Sequence, residues 1–203
     1  MNPELKDIPN HILELGLGVL SQAQRNTFYS SFGSDSCLDE GIYGVLQAAH
    51  AAELILKSAI AEQHPLLIFS TVPKSTKVDG TFLSLNDLFE SGKTIQFFDL
   101  PEKLWATTGY KLDNLELYHS FGKVRNCIQH FATPDIEIRT ETAKFIYQVI
   151  DPVLHHFWDL FAIEYVDICD HESDVFDMLA SRGVTARYPE HYKEYAEDAY
   201  KKL

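Results

Sequence analysis

The chain has 203 residues, 45% of them hydrophobic, which excludes a disordered composition and suffices for one domain with its own core. The formal net charge of −13 argues against loose, nonspecific binding to nucleic acid or anionic membranes, because both need a surplus of Lys and Arg. It still leaves room for a local basic pocket.

Cys37, Cys127 and Cys169 lie far apart and form no C-x-x-C, so free thiols in a reducing cytosol are expected. Cys127 reads as a small, buried apolar residue. The stretch Met1–Asp7 lacks a basic region followed by an apolar core, so no signal peptide is expected. No apolar run approaches ~20 residues, so no membrane span is expected either, and the location reads as cytoplasmic.

In chain order, Asn10–Tyr29 reads as a first helix. Leu13, Leu17, Leu20, Gln24 and Phe28 hold three- and four-residue spacing, while Gly16 and Gly18 weaken it. Ser30–Ser36 reads as a loop. The clearest helix is Leu38–Gln63, with Ser36 as cap and Asp39 following it. Its apolar stripe is Ile42, Leu46, Ala49, Leu56 and Ile60, and Glu53 interrupts it. A carboxylate within a core-facing stripe needs a partner. Lys57, one turn on, is one; Arg125, on another helix, is the other.

His64-Pro65 ends that helix, and Leu66–Gly80 reads as a loop in which Leu66–Phe69 covers a bundle end, with room for a short strand. Ser84–Glu90 reads as a short helix capped by Ser84, with Asp87 three residues on. Thr94–Tyr110 reads as one or two short helical turns across the bundle.

Leu112–Phe131 is the next long helix, with Leu117, Phe121, Val124, Ile128 and Phe131 as its apolar stripe. Ala132-Thr-Pro134 ends it. Thr140–Ile163 follows as a long helix kinked at Pro152. In it, His155 and Asp159 have the spacing of a simple hydrogen bond, and the His155-His156 pair lacks a third metal ligand. The acidic stretch Glu164–Asp177 does not fit a calcium loop, Gly183 marks a break, and Pro189–Leu203 reads as a last amphipathic helix. The sum is an all-α, antiparallel bundle of four main helices plus short ones. It forms one domain over 1–203, with a core at about 38–163 and a C-terminal helical extension at 164–203.

One segment carries chemistry. Lys123–Phe131, K-V-R-N-C-I-Q-H-F, places Arg125 and His130 about 140° apart around one helix, with Asn126 between them. A fixed cation, an amide and an imidazole are the parts needed to hold a phosphate and move a proton. Arg125-Asn126-x-x-x-His130 resembles the R-x4-6-H motif of the HEPN superfamily. The phrase Ala51–Ile60, A-A-E-L-I-L-K-S-A-I, resembles the helix that precedes the motif helix in several HEPN families.

The resemblance spans about 38–163. It implies a metal-independent endoribonuclease of a toxin–antitoxin or phage-defence type. Arg125, Asn126 and His130 would be catalytic, Glu53 a supporting acid, and Lys123 and Arg139 RNA contacts. It also implies a homodimer with facing motif helices, an RNA substrate, an antitoxin or regulatory protein as a possible partner, and neither cofactor nor metal. The sequence departs from the R-x4-H-x-Y branch, because Ala132 stands where that branch has Tyr, so control by modification of that Tyr is not implied. The acidic charge and the aromatic C-terminal helix leave open a catalytically silent HEPN-like module that binds protein or nucleotide, or an unrelated bundle.

Overall fold

The computed structural model describes residues 3–29, 40–78, 82–167 and 173–201. The expected cap Ser36 with Asp39 following it, and Cys37 and Cys169, lie outside the described residues.

Two long helices form the base of the bundle, α1 (Ile8–Phe28) and α2 (Glu40–Gln63). Glycine lets them lie close. A Cβ built on Gly16 would sit 3.0 Å from the Ile55 side chain, and one on Gly44 would sit 2.8 Å from Thr27 Oγ1. Gly16 weakens the helix as a local signal but admits its neighbour, while Gly18 faces open space.

Helix α2 is the centre of the bundle. It packs against α1 and against four later helices, α4 (Leu100–Thr108), α5 (Leu115–His130), α6 (Ile138–Phe145) and α7 (Asp151–Trp158). Its composition explains this. Ala48, Ala49, Ala51, Ala52, Ala59 and Ala61 are buried between the larger Ile55, Leu56 and Ile60, so neighbours approach from several sides. A helix apolar almost all round is a buried helix. The three segments expected to form one bundle, within α2, α5 and α6–α7, do pack together.

Between α2 and α4 the chain makes an excursion. Pro65–Ile68 forms a 3-10 turn, then β1 (Phe69–Thr71) pairs antiparallel with β2 (Lys93–Thr94), Phe69 opposite Thr94. Helix α3 (Leu85–Ser91) lies between them, and the cap expected at Ser84 is a full capping box: Ser84 Oγ accepts from the Asp87 N–H, and Asp87 accepts from the Ser84 N–H.

The expected single helix over Thr140–Ile163 is divided. Helix α6 runs into a π-helical turn at Ile146–Ile150, and α7 follows from Asp151. Pro152 has no N–H to give and its ring crowds the preceding turn, so the widened turn absorbs what a plain kink was expected to absorb. Helix α7 stops at Trp158, because Asp159 adopts a left-handed backbone with φ of 55°. A 3-10 turn, Ala162–Tyr165, closes this region.

The C-terminal part adds a helix that periodicity missed, α8 (Ser173–Ser181), and ends in α9 (Lys193–Tyr200), which packs on it. Gly183, at φ of 65°, supplies the left-handed residue that ends α8, with Val184 N–H returning to the Leu179 carbonyl. Among the described residues, no helix is long and apolar enough to cross a membrane.

Candidate functional site

Helix α5 carries the motif, and its ends are set locally. Asn114 caps it, its Oδ1 accepting from the Leu117 N–H. Phe131 N–H and Ala132 N–H both return to the Cys127 carbonyl and close the last turn. The inner face is fixed by aromatic packing. Phe121 stacks on Phe145 at 3.9 Å, and Tyr118 stacks on Phe97 at 4.3 Å while donating to the Phe97 carbonyl. Gly122 allows this, since a Cβ there would stand 2.8 Å from the Phe97 and Phe98 rings. Phe131 does not continue the apolar stripe. It lies one residue past the helix end and is 89% exposed, because the stripe's geometry ends with the helix.

On this frame Arg125 and Asn126 are half-buried and His130 is exposed. Arg125 Nη1 donates to Asn126 Oδ1 at 2.9 Å. That bond takes up the amide's acceptor and leaves its NH2 and the other guanidinium donors without a hydrogen-bond partner among the described residues, which makes the pair rich in donors. Lys123 is exposed and lies seven residues before His130, so the two fall about 20° apart around the axis. Lys123, Asn126 and His130 therefore share one arc, and Arg125 reaches it through its bond to Asn126. Cys127 is half-buried, with Sγ 3.3 Å from the Ala132 carbonyl, rather than buried as expected.

Glu53 is not held by Arg125 or Asn126. Its Oε1 lies 2.5 Å from Lys57 Nζ, one turn along α2, and Lys57 also donates to Thr94 Oγ1 on β2. The side chains are 24% and 8% exposed, so the lysine is the more deeply buried partner. The i,i+4 pair wins because it needs no tertiary alignment. Glu53 still faces α5: burial first, and then its negative charge, push the Tyr118 phenol well up.

Arg139 also takes another part. Its Nη1 donates to the carbonyls of Asn26, Thr27 and Tyr29, the orphan acceptors at the end of α1. Next to α5, a cleft of about 250 Å³ is lined by Leu117, Phe121, Val124, Ile136, Glu137 and Glu141. Burial alone would push the Glu137 carboxyl up, but hydrogen bonds from Thr140 and from the Arg139 N–H, with the charge of Arg182, hold it below its ordinary value. Two carboxylates thus line this side of the motif helix, Glu137 within reach of Arg182 and Glu141 paired with Lys144 at 2.8 Å.

Periodicity missed a buried polar network. Tyr147 donates to Gln24 Oε1, Gln24 Nε2 donates to the Ala162 carbonyl, and the Ala162 N–H donates to Asp151 Oδ1 at 2.8 Å. Gln24, Tyr147 and Asp151 are all buried, and Asp151 Oδ2 has no hydrogen-bond partner. Burial pushes the Asp151 carboxyl up to about 6, against the pull of the Ala162 N–H, of Arg187 and of His155. The signal in the sequence is a lone Asp between Ile150 and Pro152 in an apolar run. His155 Nδ1 lies 3.2 Å from Asp159 Oδ1, the simple pair expected there. Among the described residues, no three His, Cys, Asp or Glu gather as a metal site.

Comparison with models of protein families, with characterised proteins and with solved structures finds no match.

Proposed function

We propose that this protein is a metal-independent endoribonuclease of HEPN type, with Arg125, Asn126 and His130 as its working groups. The observation that carries the reading is the coupled Arg125–Asn126 donor pair on the same helix as an exposed His130, with Lys123 beside it. In the reaction an RNA 2′-hydroxyl attacks the adjacent phosphorus and loses its proton to an imidazole. The bond to the 5′-oxygen breaks, and that oxygen takes a proton. The products are a 2′,3′-cyclic phosphate and a free 5′-hydroxyl. Arg125 holds the phosphate oxygens and stabilises the charge that builds on them, and Asn126 orients both.

A single imidazole cannot take one proton and give another in the same step. A homodimer with facing α5 helices supplies a second His130 and a second Arg125. The same arrangement gathers Lys123 from both chains and offsets the acidic background at the cleft.

A second reading is a catalytically silent module of the same type that binds a protein or nucleotide. It is favoured by the commitment of Arg139 to the carbonyls at the end of α1, which removes one cation from the motif side. Incubation of the pure protein with total RNA and a chelator separates the two. The nuclease leaves cyclic-phosphate ends, and His130→Ala abolishes cleavage with the fold intact. Cleavage that survives this substitution, or that requires magnesium, rejects the mechanism. Light scattering at micromolar concentration tests the dimer.

A further inference from the structure

A polar concavity lies at the other end of α5, roughly 24 Å along the helix from His130. Its volume, about 400 Å³, is in the range of small-molecule sites. Three segments build it: Asp113 and Asn114 at the start of α5, Tyr147 and Gln148 in the π-helical turn with Pro152 beyond, and Thr185–Arg187 after α8. π-helical turns recur at functional sites because they re-aim the side chains they carry.

The charges on its walls make no ion pair, although Arg187 lies within electrostatic reach of the buried Asp151. Arg187 is exposed and forms no ion pair or side-chain hydrogen bond among the described residues, and the same holds for Asp113. The two do not pair with each other, although both lie within electrostatic reach of the Tyr110 phenol. Between them Asn114 Nδ2 donates to Gln148 Oε1 at 3.4 Å, which leaves the Gln148 NH2 free to offer hydrogen bonds. One wall is fixed, because Tyr147 is anchored on Gln24. Asp151 Oδ2, buried beside Pro152, is an acceptor with no partner.

These features select a ligand by exclusion. A bare anion would meet Arg187 but also Asp113, in a chain of net charge −13. A bare cation would meet Asp113 but also Arg187 and the positive end of α5. A molecule bearing both charges satisfies both walls. We propose that this pocket binds a small zwitterion with one carboxylate and one primary ammonium, the free α-amino acids being its simplest class. The carboxylate lies on Arg187, which matches it with two parallel N–H bonds, and the ammonium lies on Asp113. The Asn114–Gln148 amides contact the polar atoms between them. This site is separate from the Arg125–His130 face and does not depend on the nuclease reading.

Calorimetry and thermal shift with glycine, L-alanine, L-glutamine and L-glutamate test it. Acetate, inorganic phosphate and ethylamine serve as single-charge controls. The expected result is binding of at least one amino acid with Kd below about 1 mM, and a loss of about tenfold or more in both Arg187→Gln and Asp113→Asn. Both positions are exposed, so the variants keep the fold, as circular dichroism would verify. No binding by any of the four amino acids overturns the proposal. So does binding of acetate or phosphate that matches the amino acids and is unchanged in Asp113→Asn, because the site would then be a simple anion site.

Discussion

Replacing Asp151 by Asn should change how stability depends on pH more than it changes stability at any single pH. Asp151 is fully buried at the start of α7, with Oδ1 on the Ala162 N–H and Oδ2 unpartnered. Its carboxyl moves from an ordinary 3.8 up to about 6, chiefly through burial. Between these values the folded chain holds a proton that the unfolded chain has released. Stability from this group is therefore complete below about pH 4 and falls as pH rises through 6. A shift of roughly two units corresponds to about 3 kcal/mol at ~1.36 kcal/mol per unit. Asn keeps the Oδ1 acceptor and cannot ionise, but it brings an NH2 that the buried site must accommodate, at a cost of about 1–3 kcal/mol. The two contributions nearly cancel near neutral pH, while only the first varies with pH. Urea unfolding at pH 4.5 and pH 8 should thus show the Asn variant gaining about 2 kcal/mol on the wild type between the two, because about 1.5 units of the shift lie above pH 4.5. In a chain of this length that is a relative gain of roughly 4–8 °C in Tm. Parallel pH profiles for the two proteins would refute the reasoning, since they would mean that Asp151 is equally solvated folded and unfolded.

Four further outcomes follow from packing and pairing. Gly44→Ala should destabilise by about 1–3 kcal/mol in chemical denaturation, because its Cβ would meet Thr27 Oγ1 at 2.8 Å. Gly18→Ala faces open space and should stabilise by about 0.5–1 kcal/mol. Arg139→Ala should cost about 2–3 kcal/mol by stripping carbonyls at the end of α1, and should leave any RNA affinity unchanged apart from that loss. Lys57→Met should cost about 1–3 kcal/mol by leaving Glu53 half-buried without its cation, and adding Glu53→Gln should recover part of it, measurable as a double-mutant cycle.

Local order was legible in the sequence. The long helices, the all-α bundle, the box at Ser84 and Asp87, the break at Gly183 and the Arg125–Asn126–His130 series all rest on spacing within one turn or a few turns. Such patterns are fixed by backbone geometry and do not need the rest of the chain. The division at Pro152 was half legible. Proline announces a disturbance, but whether it becomes a kink or a π-helical turn depends on what packs around it.

What only the tertiary structure decided is which partner each polar residue takes. Glu53 had two partners in reach by chemistry, and the nearer Lys57, anchored by Thr94, holds it. Arg139 looks like a phosphate contact in the sequence but lies where α1 ends, 110 or more positions away, and carbonyls without partners claim it. Asp151 stands in an apolar run, but its burial and its bond to the Ala162 N–H come from the way the Ala162 turn folds back over α1 and α7. A charge or a donor in a sequence states what it can bind. Burial and distance, which arise from contacts between remote segments, determine what it does bind, because an unpaired group in the interior costs more than any local preference can offset.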